Sequence, residues 1–292
     1  MNVLYIIGNG FDRWHGLPTS YCDFYKYSKQ TLDQYKYFFE QSGVTEPWSD
    51  FENNLGEYDW ELLYCEYEQP NLSSESFRSS YVYGLEDGIT EQTESLVSDI
   101  TSEFESWVNS IDITNVSPKM CFIPESKFLS FNYTNTLQSV YKVPHGHVKH
   151  IHGNVDTREK LIFGHCSMRM EPSEFDEDGY SNSKYFHDAE NAARKPLAAL
   201  KKPVEFIIDN LSHWFDSLTD IDCIVVLGHS LNSVDMPYFK RIFEFNPSAE
   251  WVVSCYSTSE CEKHRGSLVN IGITIDKIRT CDLDKISEVL DQ

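Results

Sequence analysis

Val3 to Ile7 form an unbroken apolar run rich in β-branched side chains, and the run stops at Gly8. A strand apolar on both faces suits the interior of a parallel sheet covered by helices on each side. Gly8 and Gly10 bracket Asn9, which lets the backbone take positive φ and approach a ligand with no Cβ in the way. A turn of this kind at the carboxyl end of the first strand is where open α/β sheets bind nucleotides. Six residues on, Gly16-Leu17-Pro18 interrupts the chain again. Arg13 stands where the third glycine of a G-x-G-x-x-G fingerprint would be, so that motif is absent. A glycine pair after a strand carries little weight by itself.

Further along, strands alternate with helices. Ser20 with Asp23 has capping-box spacing and opens an aromatic-rich helix through Tyr27, and Ser49 to Glu52 opens another containing Leu55, Trp60 and Leu63. From Thr90 to about Ile111, Leu96, Ile100, Phe104, Trp107 and Ile111 recur at helical steps. No strong strand lies between Gln30 and Lys119, a stretch too long for one crossover, so it reads as a helical insertion on an α/β core. Strands are expected at Lys127 to Phe131, Val148 to Ile151, Lys160 to Phe163, Asp222 to Leu227 and Trp251 to Cys255. Helices are expected at Lys184 to Leu200, Val204 to Leu218, Met236 to Phe245 and Asp284 to Leu290, and an acidic loop at Pro172 to Ser183. The alternation favours a single α/β domain over residues 1–292, a Rossmann-like doubly wound parallel sheet with helical insertions at about 30–119 and 168–218.

Charge narrows the partners. The chain carries 24 basic and 46 acidic side chains, a formal charge of -22 at pH 7. Such a field repels nucleic-acid phosphates, and the basic candidates, Lys195 with Lys201 and Lys202, are few, so no direct nucleic-acid binding is expected. The apolar start is too short for a signal-peptide core, and no apolar run approaches the ~20 residues of a membrane span, so the expectation is cytoplasmic and not membrane-bound. Eight cysteines without a C-x-x-C pair read as reduced, mostly buried thiols, neither a disulfide frame nor a zinc ribbon.

Three later stretches carry candidate chemistry. Phe131-Asn132-Tyr133-Thr134 follows a strand, and an amide there can both donate to and accept from a bound sugar; read alone, Asn132 or Thr134 as a helix cap is the plainer account. The segment from His145 to His152 has alternate histidines that share a face in a strand. It is open to a metal-site reading, to His152 as a general base, or to polar residues on a half-exposed strand. Gly228-His229-Ser230 can bind ribose or phosphate, or be an ordinary strand-to-helix turn.

Taken together, Gly8-Asn9-Gly10-Phe11-Asp12, Gly16-Leu17-Pro18, Phe131-Asn132-Tyr133, His152-Gly153 and Gly228-His229-Ser230-Leu231 occur in an order that resembles the sirtuin-like NAD-binding proteins. The G-N-G-F-D, H-G-L-P-T and F-N-Y-T-x-T versions are most similar to the AbiH-type bacteriophage abortive-infection proteins. The resemblance implies a sirtuin-like domain without its zinc module, hence no metal, and NAD as substrate or ligand. It implies catalytic roles for Asn132, His152 and Asp12, with Gly8, Asn9, Gly10, Phe11, Gly16, Leu17, Pro18, Gly228, His229 and Ser230 binding the dinucleotide. Asp12 stands in place of the family's serine, and Thr134 in place of an aspartate. The function implied is a nicotinamide-releasing effector of antiphage defence; the alternatives are binding-only sensing of NAD, ADP-ribose or another nucleotide and, from the histidines of His145 to His152 alone, a metal-dependent hydrolase. A phage-derived trigger and homo-oligomeric assembly are the expected partners, because an enzyme that depletes NAD has to be held back in a healthy cell.

Overall fold

The structure is a computed structural model that describes residues 1–39, 47–156, 160–166 and 186–290. In chain order, β1 (Val3–Ile7) is followed by α1 (Asn9–Trp14), α2 (Tyr21–Tyr27), α3 (Lys29–Tyr35), α4 (Phe51–Leu55), α5 (Trp60–Cys65) and α6 (Ser80–Asn109). Then come β2 (Lys127–Ser130), α7 (Thr136–Ser139), β3 (Val148–His150), α8 (His187–Ala199), α9 (Val204–Asn210) and α10 (Ser212–Asp216). The chain closes with β4 (Cys223–Leu227), α11 (Met236–Phe245), β5 (Glu250–Ser254), α12 (Thr258–Asn270), β6 (Ile278–Cys281) and α13 (Ile286–Leu290). It divides into two compact units, Met1–Ser20 with Val108–Ile162 and Pro203–Gln292, and Tyr21–Trp107 with Phe163–Lys202.

The first unit holds the sheet. Among the described residues it has six strands, all parallel, in the order β3-β2-β1-β4-β5-β6. The order reverses at β1, whose last residue, Ile7, is in register with Ser130 of β2 and Leu227 of β4. This is the strand order of dinucleotide-binding α/β folds, which place ligands outside the carboxyl ends at that reversal. Both sheet faces are covered, which is why β1 and β4 contain no charged side chain and the Tyr5 hydroxyl accepts the Ile123 N–H at 3.3 Å. On one face Val3, Tyr5 and Ile7 pack with Val225, Leu227, Phe11 of α1 and Leu137 of α7. On the other, Leu4, Ile6, Ile224 and Val226 are fully buried, and Trp251 of β5 lies 6.4 Å, ring to ring, from Phe239 of α11. Each such side chain contributes on the order of 2 kcal/mol by leaving water.

The second unit is helical around an aromatic core. Phe104 of α6 stacks 5.8 Å from Phe51 of α4 and lies 4.3 Å from Phe163. Leu96, Ile100, Phe104 and Trp107 form the buried stripe of α6, as their spacing predicts. A buried ion pair joins Lys202 to Glu52 at 2.8 Å.

Several expectations need correction. Lys160 to Phe163 is no strand: Leu161 and Phe163 are buried, but the stretch joins no ladder, and the Ile162 N–H donates instead to the His152 carbonyl at 2.9 Å. Helix α6 starts ten residues before Thr90, through Gly84 and Gly88. Glycine weakens helices, but the missing Cβ at Gly88 leaves room for the Tyr67 ring, which a Cβ would approach to 3.1 Å. The helices expected as continuous across Leu55 to Leu63 and across 204–218 are each broken in two. Helix α12 and strand β6 were not anticipated, because α12 buries only His264 and Leu268 and β6 has one buried residue. Cys255 and Cys261 are joined in a disulfide, and Cys22, Cys65 and Cys121 are exposed, against the expectation of reduced, mostly buried thiols. The acidic loop at 172–183 and the first residues of the helix expected from 184 lie outside the described residues.

Candidate functional site

Parallel strands end on one edge of a sheet, so the turns after β1, β2, β3 and β4 meet there, and those turns carry the residues singled out above. Asn132 and His152 each lie two residues past the last registered pair of β2 and β3, Ser130 with His150, so they leave neighbouring strands side by side. Adjacent strands are spaced by about 4.8 Å.

Asp12 is 1 % exposed, in the middle of α1. Its Oδ2 accepts the Thr134 hydroxyl at 2.5 Å, and Thr134 is in turn 3.1 Å from the Thr136 hydroxyl. Burial pushes its carboxyl up to about 6, against smaller opposing effects of Thr134, Thr136 and Asn132. Asp12 therefore titrates near neutrality, and its Oδ1 is buried with no hydrogen-bond partner. Asn132 is close enough to Asp12 to favour its charged form, yet neither atom of its amide meets hydrogen-bond geometry with any group. A buried polar atom without a partner costs about 1–3 kcal/mol, so three such atoms in one place call for an explanation.

The backbone of Asn132 is held firmly. Its N–H donates to Ser130 Oγ at 3.2 Å, and its carbonyl accepts from Nδ1 of His150 at 3.0 Å. Nε2 of His150 lies 2.8 Å from the Gln138 amide nitrogen, so His150 is bonded at both ring nitrogens and supports the turn. His150 and His152 therefore do different things. The His152 ring is buried against Phe131 at 5.3 Å and Tyr238 at 5.9 Å, and its Nε2 lies 4.0 Å from Asp235. His229 stands 3.4 Å from the other oxygen of the same carboxylate, with its ring 4.4 Å from Phe131.

The glycines are explained differently from the expectation. Gly8 and Gly10 do not have positive φ; Gly8 is extended at φ -115°, and Gly10 lies in α1. They are needed because the two central turns nest: a Cβ on Gly8 would lie 2.5 Å from His229 Cα, one on Gly10 2.8 Å from Gly228 Cα, and one on Gly228 2.1 Å from the Phe11 nitrogen. Only Gly228, at φ +65°, and Gly16, at φ +82°, take the left-handed conformation among the predicted site glycines. The N–H groups are also committed within the protein, Gly8 to Leu227, Gly10 to Gly228, Phe11 to Gly8, and Gly228 to Ser254 Oγ. The Phe11 side chain belongs to the core, so it offers a ligand no side-chain contact. Asn9 and Ser230 are exposed on the two turns, and the Asn9 amide donates to the Thr19 carbonyl at 2.7 Å. The Gly16-Leu17-Pro18 turn folds back on α1, the Leu17 N–H donating to the Asp12 carbonyl at 3.1 Å; Leu17 is buried and Pro18 exposed.

Asp235, Thr136 and Tyr238 belong to this cluster and were not foreseen. An aspartate before Met236-Pro237 has the sequence signature of a helix cap, and nothing along the chain connects it to His152 or His229. Among the described residues no group of three or more His, Cys, Asp or Glu side chains is arranged to hold a metal ion, and no helix is long and apolar enough to cross a membrane.

No curated protein and no solved structure matches the chain. The family described as bacteriophage abortive infection AbiH matches residues 4–255, an interval that contains every strand-end residue discussed here. The chain belongs to the AbiH family of bacteriophage abortive-infection proteins.

Proposed function

We propose that this member of the abortive-infection family cleaves NAD and releases nicotinamide, using a sirtuin-like site at the carboxyl edge of the sheet. The observation that carries the reading is the buried, unsatisfied amide of Asn132 beside the buried carboxyl of Asp12. Together they provide a donor and acceptors where a sugar's hydroxyls would supply the missing partners. Breaking the bond between nicotinamide and ribose sends the electron pair to the ring nitrogen and leaves an oxocarbenium-like sugar. In this reading Asn132 fixes the ribose, ionised Asp12 offsets the developing positive charge, and His152 takes the proton from the water that attacks C1′. The glycine turns let β1 and β4 close on each other, and the rest of the dinucleotide runs over the exposed Asn9 and Ser230.

The proposed setting is the cytoplasm, where the NAD pool lies, with low basal turnover released by a phage-derived trigger or by self-assembly. Nucleic acid and membrane have no part in it. Incubating the purified protein with NAD and measuring free nicotinamide tests the proposal. Release by the parent that falls at least about 100-fold in Asn132→Ala and His152→Ala supports it. A second reading, binding of NAD or ADP-ribose without turnover, is favoured by one observation: the Thr134 hydroxyl already engages one oxygen of Asp12. Tight NAD binding without nicotinamide release, under conditions that include infected-cell extract, would select it.

A further inference from the structure

Thr134 stands just before a helix, where a threonine ordinarily serves as a cap. Asn135, at the N-cap position of α7, makes no side-chain bond to that helix, and the Thr134 hydroxyl is spent elsewhere. It donates to Oδ2 of Asp12, 122 residues away along the chain, at 2.5 Å. A hydroxyl has one proton to give. Because that of Thr134 goes to Asp12, the 3.1 Å contact between the Thr134 and Thr136 hydroxyls runs from Thr136 to Thr134. Both hydroxyls thus direct their protons along one path to a single carboxylate oxygen. All three residues are buried, where a hydrogen bond to a charged group is stronger than at the surface.

A carboxylate by itself is symmetric, since rotation about its last torsion exchanges the two oxygens. The bond to Thr134 removes that symmetry. It ties Oδ2 and leaves Oδ1 as a buried oxygen without a partner, in the same site as the unpartnered amide of Asn132.

We propose that Thr134 is a positioning residue of this site, whose hydroxyl, backed by Thr136, fixes the Asp12 carboxylate by one oxygen and keeps the other for a hydroxyl donor of the ligand. The proposal rests on the reading of the site as the seat of a ribose, but what it says of Thr134 and Asp12 holds with no ligand bound. The groups that favour the charged form of Asp12 are neutral: Thr134 first, then Thr136 and Asn132. On α1 itself, Arg13 is exposed and His15 is bonded to the Phe11 carbonyl and the Tyr141 hydroxyl. Lys119 donates to the Trp14 carbonyl, and on the neighbouring turns His152 and His229 lie beside Asp235.

The test is a titration of the Asp12 side-chain carboxyl by carbon-13 NMR in the full, ligand-free chain. The parent is expected to show a midpoint at about 6. Thr134→Val keeps the shape of the side chain without the donor and is expected to raise the midpoint by about one pH unit, whereas Thr134→Ser stays within about 0.3 of the parent. Thr136→Val is expected to raise it by less than Thr134→Val does. A Thr134→Val midpoint equal to the parent's, or a Thr134→Ser midpoint that follows Thr134→Val, overturns the proposal. Should Thr134→Val fail to fold, the parent answers alone: above about pH 7 its Thr134 hydroxyl proton is expected to exchange slowly with water, and a freely exchanging one overturns the idea. ADP-ribose, which has the sugar but no nicotinamide to lose, probes the role toward the ligand. Calorimetry at about pH 7 is expected to show its affinity weakened about 10-fold in Thr134→Val and little changed in Thr134→Ser, and equal affinity in parent and Thr134→Val counts against the proposal. A parent that neither binds ADP-ribose nor releases nicotinamide defeats the proposed function alone, since the titration still decides whether Thr134 holds Asp12.

Discussion

A carboxylic acid such as Asp12, fully buried and held by a hydroxyl at one oxygen only, is destabilising in its charged form. Its folded-state pKa, about 6, lies above the ordinary 3.8, so the stability it permits is complete below about pH 4 and is lost as pH rises through about 6. Two pH units correspond to roughly 3 kcal/mol. Asp12→Asn, neutral at every pH, is therefore expected to be more stable than the parent by about 1–3 kcal/mol above pH 7, with the difference vanishing near pH 4. Urea unfolding of both proteins from pH 4 to pH 8 measures this, and a difference that does not grow with pH refutes it. If ionised Asp12 serves the reaction, the same variant gains stability and loses nicotinamide release, the exchange expected where a functional site holds strain. Asn132 and His152 could be singled out from the sequence because each follows an apolar run, whereas Asp12 is named only through the family resemblance. Asp235 could not, because its neighbours in sequence describe a helix start.

The element that organises the site is the pair of nested turns after β1 and β4. Gly228→Ala has to place a Cβ 2.1 Å from the Phe11 nitrogen at φ +65°, so neither space nor backbone allows it. Loss of at least about 3 kcal/mol, or no soluble protein, is expected. Gly16 shares the positive φ, but nothing lies within 4 Å of its missing Cβ, so Gly16→Ala carries only conformational strain of about 1 kcal/mol. Thermal unfolding of the two variants side by side separates crowding from strain, and equal effects would show the nesting to be loose. Apolar runs located β1, β2, β4 and β5 to within a residue or so. They failed at Lys160 to Phe163, because burial of side chains says nothing about whether a neighbouring strand is there to pair with.

Across the whole chain a net charge of -22 opposes compaction, and the repulsion is concentrated where acids line one face of α6 through Asp87, Glu91, Glu94 and Asp99. Added salt is expected to stabilise the fold: raising NaCl from about 20 to 200 mM shortens the Debye length from about 20 Å to below 10 Å and should raise Tm by several degrees. A Tm that is flat or falls with salt would mean that attractive pairs such as Lys202 with Glu52 outweigh the repulsion. The same charge should keep the protein from being retained on immobilised DNA at low salt.

By itself the sequence determined that this chain builds a parallel α/β sheet, because five consecutive apolar residues can be satisfied only where both faces are covered, and it determined which turns end the strands. Tertiary structure alone decided that the glycines are there for turn against turn, that Lys202 pairs with Glu52, and that Asp235 stands between two imidazoles 77 residues apart along the chain. Strand and turn follow from local periodicity and backbone sterics. The meeting of distant side chains follows from strand order, which hydrogen bonding between strands selects and which no local pattern encodes.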